Sequence, residues 1–569
     1  MAYRAPVDDT LFILNSVVDY HRVSATERFE DADFDTVSAV LHEAGKLASD
    51  VVAPLNRGGD LTPAKLEGDV VRTSPGFGDA FAEIGAGGWI GMLADPENGG
   101  MGLPLSVASA VNDMLSGACL SLALAPLMCQ GQIEALEHHA SDEIKATYLP
   151  KLVSGEWIGT MNLTEPGAGS DVGALRSKAE RNGDGTYSIT GQKIFITWGD
   201  NDFTENTCHL VLARLPDGVE GTKGISLFIV PKLLPDEEGK PTVPNGTKVV
   251  SLEHKLGIHG SPTCVMEYDG AKGWLVGDEH KGMKCMFTMM NNARLGVGMQ
   301  GVGVAEAATQ QAHSYAMDRI QGRSPLGADG TGAIIDHADV RRMLATMRAE
   351  TFTARAISLA CGVALDLGRS DADQAARGAF LIPIAKAFST DIGHEVAQLG
   401  VQVHGGMGYI EETGAAQYAR DARITSIYEG TNGIQAMDLV GRKLMDGGEA
   451  AFALLDEIQS FAEDARGDLP ELAEPVWGAA ETLREATEAV LAQEMNDRFA
   501  GAVPFLRAYA RVLGGHFHLK AAMAEGGDSA RGRLARFYVN RLLPEHVSLL
   551  AQSRIGAQDI YALAPDDLM

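Results

Sequence analysis

One carboxylate set in a turn of small and polar residues is the first candidate for chemistry: Ile427-Tyr428-Glu429-Gly430-Thr431-Asn432-Gly433-Ile434-Gln435. Glycines let the backbone approach a flat ligand and reach torsions closed to other residues. A glutamate at the start of such a turn can take a proton from carbon if apolar walls raise its pKa. The same letters also fit a solvated loop glutamate, the commoner fate of this residue type.

Two further stretches bear on that choice. Thr164-Glu165-Pro166-Gly167-Ala168-Gly169-Ser170-Asp171 offers a hydroxyl, then a run of N–H groups in a flexible turn, suited to a polar ring edge or a phosphate. Read alone, it also fits a surface turn. Lys193-Ile194-Phe195-Ile196-Thr197-Trp198-Gly199 reads as a strand with Phe195 and Thr197 on one side, either a seat for a flat heterocycle or barrel core. Gly296-Val297-Gly298-Met299-Gln300-Gly301 fits G-x-G-x-x-G but lacks the preceding strand, so it reads as small residues that let helices pack closely. His394-Glu395 has no second histidine four residues on, which excludes a zinc-protease helix, and no metal site is expected.

The elements that must position these residues fall into blocks. Helical spacing marks 8–21, and a helix following Asp35 as N-cap and stopped by Pro54. Further helices are expected over 107–117, 133–139 and 142–153. Near residue 158 β-branched alternation takes over, at 187–190, 193–197, 209–214, 225–230, 249–252 and 263–268, punctuated by Asn182-Gly183 and Asp184-Gly185. With no helices between, this predicts an antiparallel barrel or sandwich. Helical patterning returns from Met283 to about 445 as a bundle, and a helical tail follows Gly447-Gly448. The fold class is α+β. The expected domains are 1–157 helical, 158–281 β, 282–447 helical bundle and 448–569 an additional helical domain.

Composition excludes several classes. A chain of 569 residues with 45% hydrophobic content holds a large core, and its net charge of −29 opposes nucleic acid as a partner. Six scattered cysteines without a C-x-x-C pair argue against a disulfide framework and fit a reducing cytoplasm. The start of the chain carries no export signal, and the apolar run 118–129 is too short for a bilayer, so neither a membrane nor secretion is expected.

Taken together, the three motifs resemble those of the acyl-CoA dehydrogenase family, in order and spacing, over nearly the whole chain. Thr164–Asp171 matches the first signature, Phe195-Ile196-Thr197 the flavin-edge strand, and Tyr428-Glu429-Gly430-Thr431 the catalytic turn. The helical opening and long tail resemble the longer bacterial subgroup, which includes 3-methylthiopropionyl-CoA dehydrogenases of dimethylsulfoniopropionate breakdown and fatty acyl-CoA enzymes of β-oxidation.

The resemblance implies FAD as cofactor, an acyl-CoA thioester as substrate, electron-transferring flavoprotein as acceptor, and a homodimer or higher homo-oligomer. It places Met161, Leu163, Thr164, Gly169 and Ser170 along the flavin, Phe195, Ile196 and Thr197 at its reactive edge, and Thr431 and Gly433 toward its adenosine side. Many relatives have Ser-Gln where Asn432-Gly433 stands. Arg319 and the segment from Gln402 through Gly405 and Gly406 match contacts to a neighbouring subunit's FAD. Ser170, Asn291, Arg294 and Gly430 match substrate positions. Glu429 is the expected base for a trans-2-enoyl product. Some relatives carry the base just before the arginine that matches Arg294, but Ala293 stands there. Two rivals remain: a DNA-binding alkylation-response flavoprotein, which the net charge opposes, and an acyl-CoA oxidase, which would release peroxide.

Overall fold

The computed structural model describes residues 3–326, 330 and 332–569; the side chain of Asn291 also lies outside the described residues. The chain divides into two compact units, one of Met1–Gly45, Pro104–Gly117 and Arg294–Met569, the other of Lys46–Leu103 and Ala118–Ala293.

The second unit is built on a sheet that, among the described residues, has seven strands. Five of them, Thr263–Val276, Tyr187–Thr197, Lys178–Arg181, Asn206–Arg214 and Ile225–Pro231, close on themselves as a ring. Ile189, Val211, Phe228, Met266 and Tyr268 fill its interior. The pairing is mainly antiparallel, but Trp157–Asn162 runs parallel to Asn206–Arg214, and Lys178 pairs parallel with Arg214. The expected antiparallel block thus also carries two parallel pairings. Two hairpin partners separate the parallel strands in sequence, so no crossover helix is required. Helix Leu120–His139 is buried on nearly every side, which explains the apolar run 118–129 without a membrane. No described helix is long and apolar enough to cross one.

The first unit is helical. Gly282–Asp318, whose residues from Arg294 belong here, packs with Ala338–Leu367 and Ala372–His404. The glycine pattern at 296–301 does what its context predicted. A Cβ on Gly298 would stand 2.9 Å from the Ala385 carbonyl oxygen, and one on Gly301 only 2.3 Å from that of Ser389. Gly301→Val is expected to force those helices apart at a cost of about 1–3 kcal/mol, read as a lowered Tm. An unchanged Tm would mean that the helices tolerate the extra volume.

Gly447 and Gly448 both adopt left-handed φ, and the tail begins with helix Glu449–Ala465. The tail lies on the bundle: Arg511, 2% exposed, reaches Glu350 of helix Ala338–Leu367 at 2.6 Å, and His518 packs on Phe352.

Several helix boundaries differ from the sequence reading: the helix expected over 133–139 begins at Leu120, and the span 8–21 holds Val7–Ser16 and the start of His21–Ser24. The helix near the N-terminus starts at Phe34, and Asp33 rather than Asp35 accepts from the Thr36 N–H at 2.7 Å. Pro54 does not stop the chain's helical course. It sits in the first turn of the short segment Ala53–Leu55, where its missing N–H costs little.

Candidate active site

The turn that carries Glu429 joins Arg423–Ser426 to helix Asn432–Asp438, and it is strained. Glu429 has φ +54° and Gly430 φ +83°. A left-handed residue with a Cβ costs about 1–2 kcal/mol and must be held by its surroundings. Glycine is required at 430, because a Cβ there would also meet Gln435 Nε2 at 2.7 Å.

Side chains hold the turn from three sides. Gln435 donates to the carbonyls of Glu429 (3.1 Å) and Gly430 (3.4 Å). Lys386, from the middle of helix Ala372–His404, donates to the Gly430 carbonyl and to Asn432 Oδ1, both at 2.9 Å. Asn432 in turn donates to the Ala387 carbonyl (3.1 Å) and to Asp391 Oδ1 (2.7 Å). Thr431 caps the following helix by accepting from the Ile434 N–H, and Tyr428 donates its hydroxyl to Gln300.

Burial raises the Glu429 carboxyl above its ordinary range, while Arg294 and Lys386 pull it back down. Arg294 is 8% exposed, and its Nε has no partner among the described residues. It is thus no solvated helix arginine. Burial lowers its own pKa, and Asp438 and Glu429 oppose that shift. Ala293, 2% exposed, precedes it and offers no competing base.

In the β unit the other two motifs meet. Glu165 and Ala168 exchange backbone hydrogen bonds across the Pro-Gly turn, and the Ile194 N–H donates to the Thr164 carbonyl at 2.9 Å. Beneath them Lys193, fully buried, donates to the Leu163 carbonyl (3.1 Å) and Glu165 (2.8 Å). A bulge in the pairing with Thr263–Val276 falls between Lys193 and Ile196, and Phe195 there adopts φ +62°. Phe195 is left 59% exposed while Ile196 is buried in the core. Thr197 is partly exposed, as are Met161, Leu163 and Thr164, and Gly169 and Ser170 are open. A Cβ at Gly167 or Gly169 would meet nothing. An outward aromatic ring, a neighbouring hydroxyl and an unobstructed glycine turn fit one face and edge of a flavin.

Arg319 and the segment Gln402–Gly406 reach a common surface of the helical unit. Tyr315 stacks on His404 with ring centroids 4.4 Å apart, and Arg319, Gln402, Gly405 and Gly406 are exposed beside them. Thr431 is half-buried and Gly433 exposed. Sequence reasoning missed Lys386, Gln435 and the Lys193–Glu165 pair. For Lys386 a signal was present: one cation inside the apolar run Phe380-Leu381-Ile382-Pro383-Ile384-Ala385-Lys386-Ala387-Phe388.

Comparison with known proteins defines the class. Family descriptions match at 60–156 (acyl-CoA dehydrogenase, N-terminal domain), 160–271 (middle domain), 280–445 (C-terminal domain) and 454–564 (acetyl-CoA dehydrogenase C-terminal like). The chain belongs to the acyl-CoA dehydrogenase family, whose members are FAD-dependent oxidoreductases acting on acyl-CoA. It is 44% identical to the 3-methylmercaptopropionyl-CoA dehydrogenase of Ruegeria pomeroyi, over 99% of this chain and 96% of that protein. It is 35% identical to the broad-specificity linear acyl-CoA dehydrogenase FadE5 of Mycobacterium tuberculosis, over 82% of this chain and 79% of that one. In fold it resembles an acyl-CoA dehydrogenase of Bacillus anthracis complexed with FAD, with a TM-score of 0.75 at 20% identity, covering 100% of this chain and 94% of that one.

Proposed function

We propose that this acyl-CoA dehydrogenase oxidises 3-methylthiopropionyl-CoA to the trans-2-enoyl thioester with Glu429 as base. The single observation that carries the assignment of the base is the strained turn that holds the Glu429 carboxylate beside Arg294 and Lys386. FAD, when bound, would supply the acceptor for the β-hydrogen, which leaves as hydride. Phe195, Thr197 and the Thr164–Ser170 turn would hold the cofactor, together with Met161 and Leu163, and Thr431 and Gly433 toward its adenosine side.

Glu429 takes the α-proton, so the C–H electron pair forms the new double bond as the hydride leaves. The backbone N–H of Glu429 stabilises the developing enolate oxygen, and loss of one such donor costs about 3 kcal/mol. Arg294 supplies a positive charge for the anionic thioester ligand, with Ser170, Asn291 and Gly430 as further substrate contacts. Electrons leave to an electron-transferring flavoprotein.

The choice of acyl group is supported by the Ruegeria relative, similar along essentially all of both chains. Straight-chain acyl-CoA is the second reading, supported by the mycobacterial relative. A panel of 3-methylthiopropionyl-, butyryl-, octanoyl- and palmitoyl-CoA decides between them. The expected result is the highest kcat/KM for flavin bleaching with the thioether, and a preference for octanoyl- or palmitoyl-CoA would overturn it.

The active assembly is a homodimer or larger. Exposed Met317, Ile320, Met407, Tyr409 and Ile410 neighbour Arg319 and Gln402–Gly406 along the chain, apolar surface that supports contact with a second copy. Six buried free thiols accord with a cytoplasmic location.

A further inference from the structure

We propose that Lys386 is a positioning residue for the base: its ammonium, seated on the Gly430 carbonyl and the Asn432 side chain, fixes the left-handed Glu429-Gly430 pair and keeps a cation beside the carboxylate. The proposal rests on Glu429 being the base.

Three observations support it. Lys386 is fully buried, where a cation is costly unless its protons are bound. Its partners are two neutral oxygens of the turn rather than a carboxylate of its own helix, so its charge is directed at the 430–432 backbone. Asn432, the second of those two partners, is itself tied to the helix that carries Lys386. Through its bonds to Ala387 and Asp391 it locks the turn to the helix from which Lys386 projects.

The charged groups facing Lys386 are Glu429 on the turn, Asp391 on its own helix and Arg294 on helix Gly282–Asp318; Asp391 is itself faced by Glu395 and Arg507. Burial lowers Lys386 to about 7, against the opposing pull of Glu429 and Asp391. Its charge is therefore lost as pH rises through that value, and with it the support given to the ionised base.

The test is anaerobic flavin bleaching by acyl-CoA across pH, in the FAD-loaded enzyme. Lys386→Met is expected to keep its flavin and to bleach about 10²-fold more slowly, the order of loss that follows a misplaced reacting group. Its acid limb should move to higher pH, because Glu429 loses a neighbouring cation. Lys386→Arg should keep the limb in place. A purely architectural lysine would lower stability without moving that limb. Bleaching at the wild-type rate with an unmoved limb in Lys386→Met overturns the proposal. If Lys386→Met fails to fold, Asn432→Ala, which keeps the ammonium, should slow bleaching with the limb unmoved, and wild-type rates there overturn it equally. Glu429→Gln measured in parallel separates the readings, since activity in that variant would sink the choice of base, whereas an unaffected Lys386→Met sinks only the positioning role.

Discussion

Glu429→Gln is expected to retain FAD and bind acyl-CoA, yet lose at least 10²–10⁴-fold in the rate of flavin bleaching, the range typical of a missing general base. An amide matches the carboxylate in shape, so the turn held by Gln435 and Lys386 should survive. What disappears is the only group in the turn able to accept the α-proton. The same variant carries a stability signature of opposite sign. Burial raises the Glu429 pKa above its value in an unfolded chain. The neutral form is thus favoured on folding, and this group's contribution is lost as pH rises through the raised value. Above that pH the wild-type enzyme carries a poorly solvated carboxylate that the glutamine removes, so Glu429→Gln should melt higher than wild type at neutral pH and no higher in acid. In wild type, kcat/KM should fall as pH drops through the same raised value, since only the ionised form can act as base. Near-normal turnover in the variant would refute the assignment, whatever its Tm.

The sequence made the chemistry more legible than its supports. Glu429, Thr164, Phe195 and Thr197 stand in short motifs whose residue types fit a proton acceptor, a ring-edge hydroxyl and an aromatic face, although each motif alone also fits a plain turn or core strand. The supports are buried single residues inside elements with other obvious roles. Lys386 lies in a helix whose apolar pattern explains itself without it, and its partners lie more than forty positions away. Lys193 was visible as the first letter of a strand, but nothing local says that it turns inward to Glu165. The bulge at Phe195 was equally hidden. Strand alternation placed Phe195 and Thr197 together, whereas the positive φ that exposes the ring depends on pairing with Thr263–Val276. The parallel pairing of Trp157–Asn162 escaped notice for the same reason, since sheet neighbours are a property of the assembled fold. Asp33 displaced Asp35 as the cap because two acids flanking Phe34 compete, and the one outside the first helical residue wins.

The buried Glu165–Lys193 pair yields the second large effect. Lys193 is fully buried and Glu165 nearly so, and they meet at 2.8 Å beneath the turn that carries Thr164. Glu165 also accepts the N–H groups of Arg176 (2.6 Å) and Ser177 (3.0 Å), so the pair anchors both ends of the segment 163–177. Burial alone would raise Glu165, but Lys193 and these donors hold it below the ordinary carboxylate range. Burial also draws Lys193 down to about 8. Removing one partner strands the other charge in the interior, at a cost of about 3–5 kcal/mol. Lys193→Met should therefore lower Tm sharply and release FAD, because the Leu163 carbonyl and the Glu165 carboxylate lose their shared donor. Replacing both, as Glu165→Gln with Lys193→Met, should recover much of the Tm, since no uncompensated charge remains, but less of the flavin affinity, since the turn is still untethered. The pH dependence follows from Glu165. Its contribution is present above the ordinary carboxylate pKa and is lost as pH falls through the depressed folded value, so acid should release FAD from wild type before the helical unit melts. Flavin fluorescence against helical ellipticity during acid titration reads both events. Coincident loss, or a double variant no more stable than Lys193→Met, would show that the pair does not anchor the flavin turn.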